Sequence, residues 1–156
     1  MMDMLTALEA TAFSTWLRES PSLWAYPLIL TLHTVGLAVL VGPSWALDLR
    51  LLGFAPGIPL RVLEKAFPVM WAGFFINGIS GLLLFAADAT TKGATLLFVT
   101  KLGLVALAVV NIAAIRRVVY RTGAEPSPGV LARGLAITSI LLWIAAIGTG
   151  RWMAYV

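Results

Sequence analysis

Within the long apolar stretches of this chain His33, Asn77, Lys101 and, near the end of the last stretch, Arg151 stand out as candidates for chemistry. Polar groups at such positions cost about 2.5–3.5 kcal/mol on insertion scales when charged, so each demands a reason. His33 leaves three readings open: a buried neutral imidazole bonded to a neighbour, an axial ligand of haem or a ligand of another metal, and a proton relay. Lys101 either caps carbonyls and reaches toward the membrane surface or sets its ammonium against an anion, such as a haem propionate, a quinone oxygen or a substrate carboxylate. Arg151 serves equally as an interfacial anchor or as a bidentate partner for the same anion.

The remaining inventory narrows the chemistry. His33 is the only histidine, which argues against a bis-histidine haem within one chain and against zinc or copper sites built from several imidazoles. A haem on His33 would be five-coordinate or would take a second ligand from a methionine such as Met70 or Met153, or from another subunit. Cysteine is absent, so disulfides, thiol catalysis and thiolate metal sites are excluded. No Gly-x-Ser-x-Gly elbow, His-Glu-x-x-His pair or phosphate-binding loop occurs, which leaves hydrolases without support.

The elements that must position these residues follow from the apolar runs. Four spans are expected at about 24–47, 66–87, 93–115 and 133–155, each close to the roughly 20 residues that cross a bilayer core. Residues 1–20 are imperfectly amphipathic and read as a short N-terminal helix lying in the membrane interface. Pro43 is expected to bend or loosen the far end of the first span. Asp88 to Lys92 and Gly123 to Gly129 read as loops. The fold class is all-α: a single membrane domain over 1–156, an up-down four-helix bundle with short connections between antiparallel neighbours. The continuous apolar runs lack the period-two alternation of a transmembrane barrel.

Depth then groups the polar residues. At about 1.5 Å per residue, His33 lies roughly 14 Å below Trp24, Lys101 roughly 12 Å below Gly93 and Asn77 roughly 15 Å below Ala87, with Arg151 shallower. In an antiparallel bundle these four belong to one level and form an inward-facing cluster. Gly73, Asn77 and Gly81 recur at four-residue spacing with Gly78 adjoining, and Gly36 follows His33; small residues there admit a neighbouring backbone or a flat ligand. Asp48 and Arg50 fall at the opposite end and are expected to pair or to contact lipid head groups. Asp48 is also a candidate for proton handling.

Composition agrees with the spans. Of 156 residues, 60% are hydrophobic and 12% charged, about half the charged share of a soluble domain. The net charge of +4 is small and sits at span ends, as lipid topology rather than nucleic-acid binding requires. Arg50, Arg61, Lys65, Arg116, Arg117, Arg121 and Arg133 share one side, so that side is expected to be cytoplasmic and both termini periplasmic in a bacterial inner membrane. Asp3 and Glu9 precede any basic residue, unlike a cleavable signal, so the first span is expected to stay as an anchor.

Leu32-His33-Thr34-Val35-Gly36, Asp48-Leu49-Arg50, Thr100-Lys101-Leu102 and the closing Gly150-Arg151-Trp152-Met153-Ala154-Tyr155 together resemble an uncharacterised family of small bacterial four-helix membrane proteins, over most of the chain. More distantly, the early-span histidine and third-span lysine are similar to those of HemJ-type protoporphyrinogen oxidases, and the helical core is comparable to that of CopD-like membrane proteins. The HemJ resemblance implies haem b at His33 and Lys101 and porphyrinogen oxidation. The chain departs from that pattern in lacking its Trp-rich stretch and its Leu-Pro-Arg-Leu-like span end, and from CopD-like proteins in lacking extra histidines and methionine clusters.

Three functions are therefore in view. The first is a redox or electron-transfer protein binding haem b between helices, with His33 as the metal ligand and Lys101, Asn77 and Arg151 around the cofactor. The second is a non-enzymatic subunit or assembly factor of a membrane complex. The third is a small transporter using the cluster as a relay, which would have to oligomerise because no inverted repeat or broken helix pair is evident. Lipid, another copy of the chain or a membrane redox partner are the expected partners.

Overall fold

The computed structural model describes residues 2–93, 95–121, 128–153 and 155. Among these the ordered elements are all helical: α1 (Met2–Glu9), α2 (Ala12–Glu19), α3 (Tyr26–Leu51), α4 (Leu60–Glu64), α5 (Ala66–Ala87), α6 (Ala89–Gly93), α7 (Leu96–Tyr120) and α8 (Val130–Trp152). Four helices are long and apolar enough to cross a membrane: α3, α4 running on into α5, α7 and α8. Protein buries only 17–28% of each span's most apolar window. The outward faces carry Leu32, Val35, Phe75, Ile79, Leu107, Val110 and Leu141, all well exposed, and lipid is the solvent that accepts such a surface.

The helix limits differ from the expected spans at several ends. Pro27 enters the first turn of α3, where its missing N–H costs nothing. Pro43 does not end that helix, which continues to Leu51. The segment Asp88 to Lys92, expected as a loop, contains the short helix α6. The N-terminal segment is two helices rather than one, because Thr11 caps α2 by accepting from the Ser14 N–H at 3.3 Å. Most of the expected loop from Gly123 to Gly129, together with Ala154 and Val156, lies outside the described residues.

Glycine sets the closest helix contact. α3 and α5 pack along their lengths, and their directions are opposed: Gly36 meets the Asn77 backbone while Gly73 meets the backbone of Leu40. A Cβ on either glycine would stand 2.6 Å from a backbone nitrogen of the other helix. Within lipid such close van der Waals packing, rather than hydrophobic exclusion of water, holds helices together. α7 and α8 form the second intimate pair, joined by the Asn111 amide donating to the Leu135 carbonyl at 3.0 Å. α3 also packs on α8 and links the two pairs. Leu40, Leu47, Phe67, Met70, Ile112, Ile115 and Trp143 fill the core between them.

Each end is tied differently. Arg50 folds back over its own helix end, donating to the carbonyls of Ile58 at 2.7 Å and Pro56 at 3.0 Å, so it neither pairs with Asp48 nor reaches freely for head groups. The turn it braces needs Gly53 at φ +103°. Tyr120 donates to the Leu60 carbonyl at 2.8 Å and closes α4 against α7. At the other end Glu9 accepts from the Thr90 N–H at 2.9 Å and from its hydroxyl, while Arg18 donates to Glu9 and to the Ala87 carbonyl, both at 3.1 Å. The two Thr90 bonds hold the Glu9 carboxyl below its ordinary pKa. Leu17 of α2 is buried in one cluster with Ala25 and Ala87.

Candidate functional site

His33, Asn77, Lys101 and Arg151 all line one cavity of about 420 Å³ between α3, α5, α7 and α8. That volume lies in the range of pockets that take cofactor-sized molecules. Each of the four comes from a different helix, which is the juxtaposition the depth argument expected.

The histidine is held in one orientation. Its Nδ1 lies 3.0 Å from the Asn77 carbonyl oxygen and 3.2 Å from the Ser80 hydroxyl. A backbone carbonyl only accepts, so Nδ1 carries the proton and donates. Asn77 answers by donating its side-chain N–H to the His33 carbonyl at 2.8 Å. The reciprocal pair clamps α3 to α5 one turn beyond the Gly36 contact. Ser80 is committed to the Ile76 carbonyl at 2.6 Å and adds an acceptor beside Nδ1. Gly81 makes the room: a Cβ there would stand 3.0 Å from His33 Cε1. With Nδ1 satisfied as a donor, a neutral ring presents Nε2 as an unprotonated nitrogen, the atom a metal or an acid would meet.

Among the described residues, the charged side chains that line the cavity are Lys92, Lys101 and Arg151, with no carboxylate among the lining groups. Lys92 is partly neutralised by Asp88, 3.4 Å away. Among the described residues neither Lys101 nor Arg151 forms an ion pair. The Lys101 side chain runs along Gly150, where a Cβ would lie 3.2 Å from Nζ. These side chains make that wall of the cavity electropositive. Phe85 and Phe98, stacked at 4.6 Å and 13°, add a flat apolar margin.

Several contributors were not evident from sequence. Ser80 lies three residues beyond Asn77, and that spacing alone places it on the same helix face. Lys92 belongs to a segment read as a loop. Trp143 also lines the cavity; the repeat Ala132, Ala136, Ser139, Trp143, Ala146, Gly150 at alternating four- and three-residue steps marks that inward stripe of α8. Met153 shares the cavity with His33, whereas Met70 is buried in the core and lines a small separate cleft with Trp71 and Phe74. Gly78 meets nothing within 4 Å and has no part in the site. No group of three or more histidine, cysteine or acidic side chains that could hold a metal occurs among the described residues.

A sequence profile described as a family of unknown function (DUF6644) matches residues 23–156. No curated protein and no solved structure matches the chain.

Proposed function

We propose that this chain, which belongs to the DUF6644 family of unknown function, is a haem b-binding redox protein of a bacterial inner membrane. The observation that carries this reading is the state of His33: Nδ1 is bonded to the Asn77 carbonyl, and the residue lines a cavity whose Lys101 and Arg151 form no ion pair among the described residues.

The residues present fit the cofactor. A haem combines an iron that accepts imidazole, a flat apolar ring and two carboxylates. Here an oriented imidazole, a cavity of about 420 Å³, the Phe85–Phe98 margin and two cations without an ion pair among the described residues occur together. The bound haem would supply one-electron transfer at its iron. His33 would ligate through Nε2, and the Nδ1–H bond to Asn77 would raise the basicity of the ring and fix its plane. Lys101 and Arg151 would meet the propionates, Arg151 in bidentate fashion. Met153, which also lines the cavity, would be the methionine available as a second ligand. A quinone fits less well because it offers these cations no formal negative charge.

In this reading the four spans cross up and down with α1 and α2 in the interface. The exposed Phe13 and Trp16 of α2 support that placement. The arginine-rich end faces the cytoplasm, the termini face the periplasm, and the cavity lies in the outer half. The distant likeness to HemJ-type oxidases is consistent with a haem at His33 and carries no substrate with it.

Protein purified in mild detergent from haem-replete cells is expected to show a Soret band that His33→Ala abolishes while the helical content is kept. A colourless wild-type preparation would contradict the proposal.

A further inference from the structure

Asp48 is the one fully buried ionisable side chain among the described residues. It has no exposed surface, and both of its carboxyl oxygens are buried without a hydrogen-bond partner. It belongs to the α3–α8 seam, well away from the cavity. Ser44, one turn earlier on α3, and Ser139 on α8 are equally buried, with their hydroxyls 3.5 Å apart. Ser139 thus supplies a buried hydroxyl on the facing helix of the seam that holds the carboxyl.

We propose that Asp48 is a proton-binding site inside the bundle, exchanging its proton with the arginine-rich end and using Ser139 as the hydrogen-bond partner of its neutral acid form. An ionised carboxylate in this seam would have neither water nor a counter-charge, whereas a carboxylic acid needs only one acceptor for its proton. The charged groups at this end do not supply the missing partner. Arg50 on α3 is spent on loop carbonyls. Arg61 and Glu64 on α4, Lys65 ahead of α5, Arg116 and Arg117 on α7 and Arg133 on α8 are all exposed. None of them forms an ion pair with Asp48. Tyr120, the other titratable group there, donates to Leu60.

The chemistry selects a proton over a metal cation. Sodium or a larger cation needs about six oxygen ligands, usually including carbonyls from unwound helix. α3 and α8 run unbroken through this region, and one carboxyl with two hydroxyls falls short. Position selects the side of exchange. Asp48 lies one turn, about 5 Å, from the end of α3 at Leu51, but roughly 22 Å along the helix from His33. The α4 segment, held by the Arg50 and Tyr120 bonds, covers that end and is the element that would open. The site is independent of any cofactor in the cavity.

Infrared spectra of the full chain in liposomes test this directly. At neutral pH the wild type is expected to show the carbonyl band of a protonated carboxylic acid, absent in Asp48→Asn and shifted downward after transfer to heavy water. Ser139→Ala, which removes one hydroxyl and adds no bulk, is expected to keep the band and move it upward. Absence of the band in the wild type, or its survival in Asp48→Asn, overturns the assignment. A wild-type band unmoved by heavy water overturns the exchange, and one unmoved by Ser139→Ala overturns the partner. Where Asp48→Asn does not accumulate, the Ser139→Ala shift and the heavy-water shift still decide the matter.

Discussion

At the scale of single residues, the site was legible because its members violate the pattern around them. A histidine, an asparagine and a lysine inside apolar helices stand out, and equal depth was enough to group them with Arg151. Their bonding was not legible. The Nδ1–Asn77 carbonyl bond depends on a backbone atom of another helix, which no spacing rule reports, and Lys92 was hidden in a segment with no clear period. Asp48 shows the converse error. Proximity to Arg50 in sequence suggested a surface pair, but the roughly 200° that separates residues two apart on a helix puts Asp48 inside and leaves Arg50 on the loop carbonyls. The two cavity cations yield a graded prediction. Hydrogen bonds to charged groups are worth about 1.5–3 kcal/mol each, so Lys101→Ala or Arg151→Ala is expected to weaken haem binding roughly tenfold to a hundredfold without removing the Soret band. Binding titrations check it, and unchanged affinity in both variants would remove the propionate role.

At the scale of elements, the four long helices were readable from hydropathy because lipid imposes one simple demand on every turn. The short helices α4 and α6 were not, since a single turn carries too few residues for a period to emerge. Nor could composition separate the glycines by task. Gly36 and Gly73 are consumed by backbone contact between α3 and α5, Gly81 makes room for the imidazole, and Gly78 touches nothing. Substituting Gly73 by Leu must push α5 away from α3 and loosen the His33–Asn77 clamp. Overpacking of this kind costs about 1–3 kcal/mol, so a clearly lower thermal midpoint in detergent is expected for Gly73→Leu, with Gly78→Leu close to wild type. Equal midpoints for the two variants would show that the glycine contact is dispensable.

At the scale of the whole molecule, the bundle is polarised: a cavity lined by cations at one end, and a buried seam with a lone carboxyl toward the other. The absence of cysteine makes the orientation easy to test, because any introduced thiol is unique. A membrane-impermeant maleimide added from the periplasmic side is expected to label Thr91→Cys and to spare Gly57→Cys until the membrane is opened; the reverse pattern would invert the topology. The central claim is that His33 Nε2 anchors one haem in that cavity. It is tested most directly by titrating haem into detergent-purified apoprotein and following the Soret absorbance. A saturable rise ending at one haem per chain, lost in His33→Ala, is the expected result. A non-saturating rise that is the same with and without His33 would contradict it.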